Sequence, residues 1–459
     1  MPNVLLRTRT PGGRGALFAV VLGSGIAFLD QTVVNVALPA IGRSLSSGLT
    51  GMQWVVDAYL ITLSALLLAG GALGDRLGRR RVFVIGLLWF VSASTACGLA
   101  PTWPILAVSR AIQGIGAAML VPGSLALLRS SFQEDDQAPA VAMWAGFTGV
   151  TSAAGPLLGG WLVEAVSWRA VFLINVPLVL LALWATFRWV PESRDEGEPK
   201  LDIAGAVAAT LGLGGAVFAL IEGAHAGWVS PHVGGMALIG LAGTIAFIVI
   251  ERHSPHPMLP FELFQSRRFT GANLTTLAVY FALGGATFLF VIELQTTLGY
   301  SPLAAGASLT PITVLLLVLS PVAGRVMQRI GPRIPMTIGP VLAAGGFILL
   351  TRIGAQASYV SDVLPGVVVI GLGLAVTVAP LTATALSSVE PRHAGIASGV
   401  NNAIARLAGL LAVALLPVAG GLDSTGTATS REGFALAIRI AAATCAIGGC
   451  IAFVTLRER

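Results

Sequence analysis

An acid and a base sit in this chain where water does not reach. Asp30 lies near the middle of an apolar run, in Phe28-Leu29-Asp30-Gln31-Thr32-Val33-Val34-Asn35-Val36-Ala37-Leu38-Pro39. Arg110 lies inside another, in Arg110-Ala111-Ile112-Gln113-Gly114-Ile115-Gly116. A charge at mid-bilayer depth costs about 2.5–3.5 kcal/mol on insertion scales, so each needs a reason to be there. A carboxyl group so placed trades its proton with water only when a path opens, which suits a proton carrier or a counter-ion for a cationic substrate. The other reading of Asp30 is a hydrogen-bonding residue that locks helices together. Arg110 requires partners, and a proton-linked acid is one that would switch its local field; a purely structural charge is the alternative. Asp57, in Gln53-Trp54-Val55-Val56-Asp57-Ala58-Tyr59, lies about one turn into the next apolar run. It either joins Asp30 or snorkels to the interface. Glu222 and Glu293 stand near the ends of later runs, as recruiters of cations or as solvated interfacial acids.

The elements that must hold these groups follow from composition. The chain has 459 residues, of which 55% are hydrophobic and 10% charged. Soluble domains carry roughly 25% charged residues. Apolar runs long enough to span the hydrocarbon recur along the sequence and predict an all-α polytopic membrane protein. Spans are expected near 16–40, 52–74, 81–100, 104–128, 140–163, 169–190, 202–223 and 233–251. Six more are expected near 270–292, 303–324, 334–352, 362–388, 396–420 and 433–455, which makes fourteen. With both termini inside, the inner segments hold 20 of the 27 basic residues and the outer segments hold only 4. That asymmetry is the positive-inside rule, and a single missed span would destroy it. The first run is longer than a signal-peptide core and contains Asp30, so it reads as a retained span.

The formal charge of +6 is spread over many short loops and forms no patch for nucleic acid. Cys97, Cys445 and Cys450 all lie inside apolar runs and read as small hydrophobes. His253-Ser254-Pro255-His256 has no further ligand nearby, so no metal and no cofactor is implied. Pro191–Lys200 and Glu251–Arg268 are the longest inner connections, and Asp423–Ser430 is a polar outer loop. Trp54, Trp103, Trp161, Trp168 and Trp228 fall near span boundaries and read as interfacial belt anchors. No segment is large enough for a separate catalytic domain, and the chain has no P-loop, GxSxG or HExxH, so an enzyme or primary pump lacks its machinery.

Between spans 2 and 3 lies Gly71-Ala72-Leu73-Gly74-Asp75-Arg76-Leu77-Gly78-Arg79-Arg80-Arg81. Five charges between two apolar helices predict a short, tight cytoplasmic turn in water, with Asp75 pairing to an arginine or to a helix N-terminus. Gly324-Arg325-Val326-Met327-Gln328-Arg329-Ile330-Gly331-Pro332-Arg333 repeats it at a constant offset of 253, with Gln328 in place of Asp75. The repeat follows spans 2 and 10, which fits two six-helix bundles separated by two inserted helices. The expected domains are 1–190, a linker with two additional spans over 191–268, and 269–459. Span 5 carries Gly149-Val150-Thr151-Ser152-Ala153-Ala154-Gly155-Pro156-Leu157-Leu158-Gly159-Gly160, a small-residue face with a proline bend.

These stretches resemble the major facilitator superfamily, in its fourteen-helix drug:proton antiporter branch. The resemblance assigns Gly71, Asp75, Arg76, Gly78, Arg79 and Arg80 to an inner gate, links Arg110 to proton transfer and sets Asp30 in a span-1 motif of that branch; with Asp57, read from its position alone, these are the candidates for proton coupling or substrate counter-charge. It assigns Gly155, Pro156, Gly159 and Gly160 to a helix associated with antiport. Trp168-Arg169 with Asn175, Gln295 to Pro302, and Gly395 to Arg406 extend it over most of the chain. One departure is Arg406-Leu407-Ala408-Gly409, where relatives usually carry Arg-Gln-x-Gly. The resemblance implies proton-coupled efflux of amphipathic, cationic drugs across the cytoplasmic membrane by a multi-pass monomer; nothing in the chain specifies an adaptor protein. The alternatives are a dedicated exporter of one endogenous metabolite or antibiotic, and a lipid-moving or non-transporting membrane protein.

Overall fold

The computed structural model describes residues 5–194, 202–254, 257–354, 356–390, 394–422 and 430–456. Linker residues 195–200, His256 and all but Ser430 of the 423–430 loop lie outside them. Among the described residues no β-strand forms, only a single bridge between Leu6 and Phe132.

Fourteen helices are long and apolar enough to cross a membrane. They are α1 Pro11–Leu45, α2 Gly48–Leu77, α3 Arg79–Leu99, α4 Trp103–Ser131, α5 Glu134–Ala165, α6 Ala170–Trp189, α7 Ile203–Ala226 and α8 Pro231–His253. The remainder are α9 Arg267–Thr296, α10 Pro302–Ile330, α11 Arg333–Leu350, α12 Tyr359–Ser387, α13 Ala394–Ala419 and α14 Arg431–Thr455. Inside a bilayer the backbone must satisfy itself, which is why apolar runs of this length have helix as their only outlet. Helix starts are marked where the chain meets water. Ser266, Ser301 and Ser430 each accept a backbone N–H three residues on, capping α9, α10 and α14.

The polypeptide gathers into two compact units. One comprises Met1–Ala37, Trp54–Gly214 and Ala242–Met258; the other comprises Leu38–Gln53, Gly215–Leu241 and Leu259–Arg459. Within each, backbone contact at small residues replaces the large apolar core of a soluble domain, because lipid offers no hydrophobic drive between helices. In the first unit a Cβ at Gly114 would collide with Tyr59 and Thr62 of α2, and one at Gly116 with the backbone of Phe90 on α3. Gly155 abuts Thr32 and Leu29, and Gly159 abuts Val33, so α5 crosses α1 on both sides of Asp30. In the second unit Gly373 of α12 meets Gly339 and Ala343 of α11, while Phe269, Ala397 and Val400 pack with Leu263 at the inner end.

The stretch expected as a turn in water is mostly helix. Gly71–Leu77 continue α2 and Arg79 already begins α3, leaving Gly78 alone to break the chain at φ 109°. Its repeat does the same at Gly331, φ 75°, between α10 and α11. The offset read from sequence therefore reappears as backbone conformation, in a region open essentially to glycine alone. Trp168 departs from its expected place in the interfacial belt: it is buried, edge-on to Phe172 and stacked by Arg169 at 4.3 Å. Position near a helix end does not say which face a ring takes.

Candidate functional site

Asp30 and Arg110 meet. Arg110 Nη1 donates to Asp30 Oδ2 at 2.5 Å, and both side chains are almost wholly buried within the first unit. Two amides complete the carboxylate: Gln113 Nε2 donates to Oδ1 at 2.9 Å and Asn175 Nδ2 to the same oxygen at 3.0 Å. Asn175 Nδ2 also donates to Ser94 Oγ, which in turn donates to the carbonyl of Phe172. The guanidinium is equally engaged. Nε donates to the Val55 carbonyl at 3.0 Å, Nη1 to Gln113 Oε1 at 2.8 Å, and Tyr59 lies 4.2 Å beneath the cation. Five helices thus supply one closed polar knot. Removing two ions from water costs several kcal/mol each even after relaxation, and only such full ligation repays it. Gln113 follows Arg110 by three residues and so shares its helix face.

Asp57 stands apart. It is fully buried, and neither of its carboxyl oxygens has a hydrogen-bond partner among the described residues. It lies two residues beyond Val55, whose carbonyl holds Arg110, but its side chain joins neither Arg110 nor Asp30. An ion left there without a donor would cost several kcal/mol, and taking up a proton removes that cost. Snorkelling to water, one of its sequence readings, does not occur. Glu293 on α9 is buried as well, contrary to a solvated interfacial acid, while Glu222 on α7 is half-buried. Neither belongs to the Asp30 knot, whose carboxylate partners are Arg110, Gln113 and Asn175.

At the inner end of the first unit, Asp75 pairs with Arg79 at 2.7 Å, one turn on. The N-terminus of α3 is taken by a different acid. Glu192, three residues past the end of α6, accepts the Arg80 backbone N–H at 3.0 Å and that of Ser193 at 3.1 Å. A Cβ on Gly78 would stand 2.9 Å from this carboxylate. Arg79 N donates to the Ser193 carbonyl, and Arg80 Nη1 reaches the Val190 carbonyl while the cation lies 5.5 Å over Phe187. Arg76 is exposed, and its side chain makes no hydrogen bond or ion pair among the described residues. In the second unit Arg333 repeats the move of Arg80: Nε donates to the Phe453 carbonyl at 2.9 Å and the cation stacks on that ring at 4.0 Å.

Gly155 and Gly159 carry the contact with α1 described above; Gly160 is buried and Pro156 sits within an unbroken α5. Sequence reasoning missed Glu192, Ser94, Tyr59 and the ligand roles of Gln113 and Asn175. For Glu192 the signal was an N-terminus, Arg79-Arg80-Arg81, with no acid of its own.

A sequence model described as the Major Facilitator Superfamily matches residues 20–413. The chain is 35% identical over 401 residues to the multidrug resistance protein Stp of Mycobacterium tuberculosis, covering 87% of this chain and 74% of that one. It is 34% identical over 461 residues to a puromycin resistance protein of Streptomyces alboniger, covering 96% and 91%. It is 32% identical over 422 residues to the tetracenomycin C resistance and export protein of Streptomyces glaucescens, covering 91% and 78%. Among solved structures, a bacterial homologue of the human lysosomal transporter Spinster superposes with a TM-score of 0.71 at 17% identity, with 98% of each chain covered. A peptide transporter bound to sulfate gives 0.70 at 14%, over 98% of this chain and 96% of that one. At those identities the likeness is one of fold.

Proposed function

The chain belongs to the Major Facilitator Superfamily, and from that premise we propose an efflux transporter that exchanges small amphipathic compounds for protons. The observation that carries the coupling is the buried Asp30–Arg110 pair, together with a second buried acid, Asp57, that no donor among the described residues serves. The proton loads at Asp57 or at Asp30. When Asp30 takes it, Arg110 loses its counter-charge and the amide knot must rearrange, which turns one proton into a movement of α1 against α4. Gly155 and Gly159 hold α1 to α5 on either side of Asp30, so that movement passes along the small-residue face. The inner gate at Asp75, Arg76 and Arg79 then opens or closes the cytoplasmic side. Residues 1–190 and 269–459 act as the two bundles, with the linker helices of 191–268 between them, and the unit of function is the monomer. For a monovalent cation exchanged for more than one proton, the membrane potential adds about 2.3 kcal/mol per net charge per 100 mV.

Amphipathic cations are the proposed cargo because a buried carboxylate is the natural counter-charge. The relatives' names support a second reading, a narrow exporter, since several specify one antibiotic each. Ethidium uptake into inverted vesicles under an imposed pH gradient tests the first. Wild type should accumulate the dye, and Asp30→Asn and Asp57→Asn should each lose gradient-driven uptake. Normal uptake by both variants sinks the coupling scheme. A resistance spectrum confined to one compound moves the conclusion to the narrow exporter.

A further inference from the structure

At the inner face, the start of α1 and the start of α5 enclose a groove of about 640 Å³ within the first unit. Its mouth carries Arg9, Arg14 and Asp136, and its wall is apolar, with Phe18, Val21, Met143 and Phe147 prominent. Arg14, Phe18 and Val21 recur at helical spacing along α1, as Pro139, Met143 and Phe147 do along α5, so each helix gives one face to it. From Arg14 to Val21 the apolar wall descends about 10 Å into the membrane. The mouth is held in shape by a strap. Leu6 N donates to the Ser131 carbonyl at 2.8 Å and Gln133 N to the Leu6 carbonyl at 3.0 Å. Arg7 Nε is spent on Gln133 Oε1, and Thr8 Oγ1 on Asp136 Oδ1 at 2.6 Å. The guanidinium groups of Arg9 and Arg14, by contrast, make no hydrogen bond or ion pair among the described residues.

We propose that this groove binds the headgroup of an anionic phospholipid of the inner leaflet, with phosphate at Arg9 and Arg14 and an acyl chain along Phe18 and Phe147. The mouth carries two positive charges and one negative, a surplus of one, which matches a phosphodiester with an otherwise neutral headgroup. Glu134 and Asp135, the other acids of the first turn of α5, do not line it. Topology alone requires only that arginines be inside; it does not require that two stay unpaired over an apolar cleft. Basic pockets between helices on the cytoplasmic side are the general form of anionic-lipid sites.

The test is native mass spectrometry of the full chain released from neutral detergent, titrated with phosphatidylglycerol, phosphatidylethanolamine or glycerol phosphate. Wild type should retain one phosphatidylglycerol. The double variant Arg9→Gln/Arg14→Gln should bind it about thirtyfold more weakly, the effect of two juxtamembrane charges. Arg268→Gln, on the same inner side, should bind as wild type does. Both variants change exposed side chains, so unchanged melting in neutral detergent separates lost binding from lost folding. Phe18→Ala should weaken lipid binding without altering the preference for the anionic head. Equal retention by the double variant overturns the proposal. So does equal affinity for phosphatidylethanolamine, or competition by glycerol phosphate as strong as by the lipid, which would make this a soluble-anion site.

Discussion

In the first unit, polar groups inside the membrane centre on an ion pair: Asp30 and Arg110, ligated by Gln113 and Asn175. The clearest polar cluster of the second unit does a similar bracing task with neutral groups. Asn401 Nδ2 donates to Asn273 Oδ1 at 3.1 Å and to Thr276 Oγ1 at 2.8 Å, joining α13 to α9, while Asn273 Nδ2 donates to the Phe269 carbonyl. Amides suffice to brace two helices, so an ion pair costing several kcal/mol in desolvation is not needed for bracing alone. The repeated inner turns teach the same lesson. Gly78 and Gly331 share a glycine-only backbone, and Arg80 and Arg333 each donate to a backbone carbonyl and lie over a phenylalanine ring. The acid does not recur: Asp75 and its Arg79 partner are replaced by Gln328 and Pro332 in the repeat. The frame is duplicated, while the Asp30–Arg110 and Asp75–Arg79 pairs belong to the first unit.

The comparison breaks most directly at its two clusters. Asp30→Ala strands the Arg110 charge and should destabilise the protein by about 3–5 kcal/mol, seen as lower melting in detergent and lost transport. Asn401→Ala leaves neutral groups unsatisfied and should cost about 1–3 kcal/mol while transport per folded molecule persists. The sharper form is the double neutral variant Asp30→Asn/Arg110→Gln. With no lone charge it should regain most of the lost stability and none of the proton-driven flux. If flux returns with stability, the ion pair is bracing after all and the contrast between the units disappears.

Much of this was legible in the chain because the bilayer makes few options available. Span length and the arginine asymmetry fix the helices and their direction, and the cost of a buried charge points to Asp30 and Arg110 without any structure. What the sequence withheld was direction and long-range meeting. An amide in an apolar run, such as Asn175, does not announce that it faces a carboxylate 145 positions away. Trp168 sat at a helix end and turned inward. Asp75 was open to an arginine or to a helix N-terminus; it takes Arg79, and the chain returns after α6 to bring Glu192 to the N-terminus of α3. The N-terminal strap hangs on backbone bonds of Leu6, to which side-chain patterns are blind.

Smaller effects test the repeated turns. Gly78→Ala and Gly331→Ala each force a side chain into a region that costs about 1–3 kcal/mol. Gly78 should be the worse of the two, because its new methyl also presses on the Glu192 carboxylate. Equal melting shifts would mean that the carboxylate gives way freely.

Glu192→Gln gives the smallest shift and bears most on the gate. The carboxylate is exposed, so its interaction with the α3 N-terminus is screened and should be worth about 0.3–1 kcal/mol at low salt. The neutral amide keeps an acceptor for the Arg80 N–H but loses the charge. If Glu192 matters as a charge, the variant should melt slightly lower at low ionic strength and match wild type at high salt, where screening shortens to a few ångströms. Should the variant and wild type melt alike at both salts, Glu192 acts as a hydrogen-bond acceptor only. The inner turn of the first unit would then rely on Asp75 and Arg79 for its ionic character.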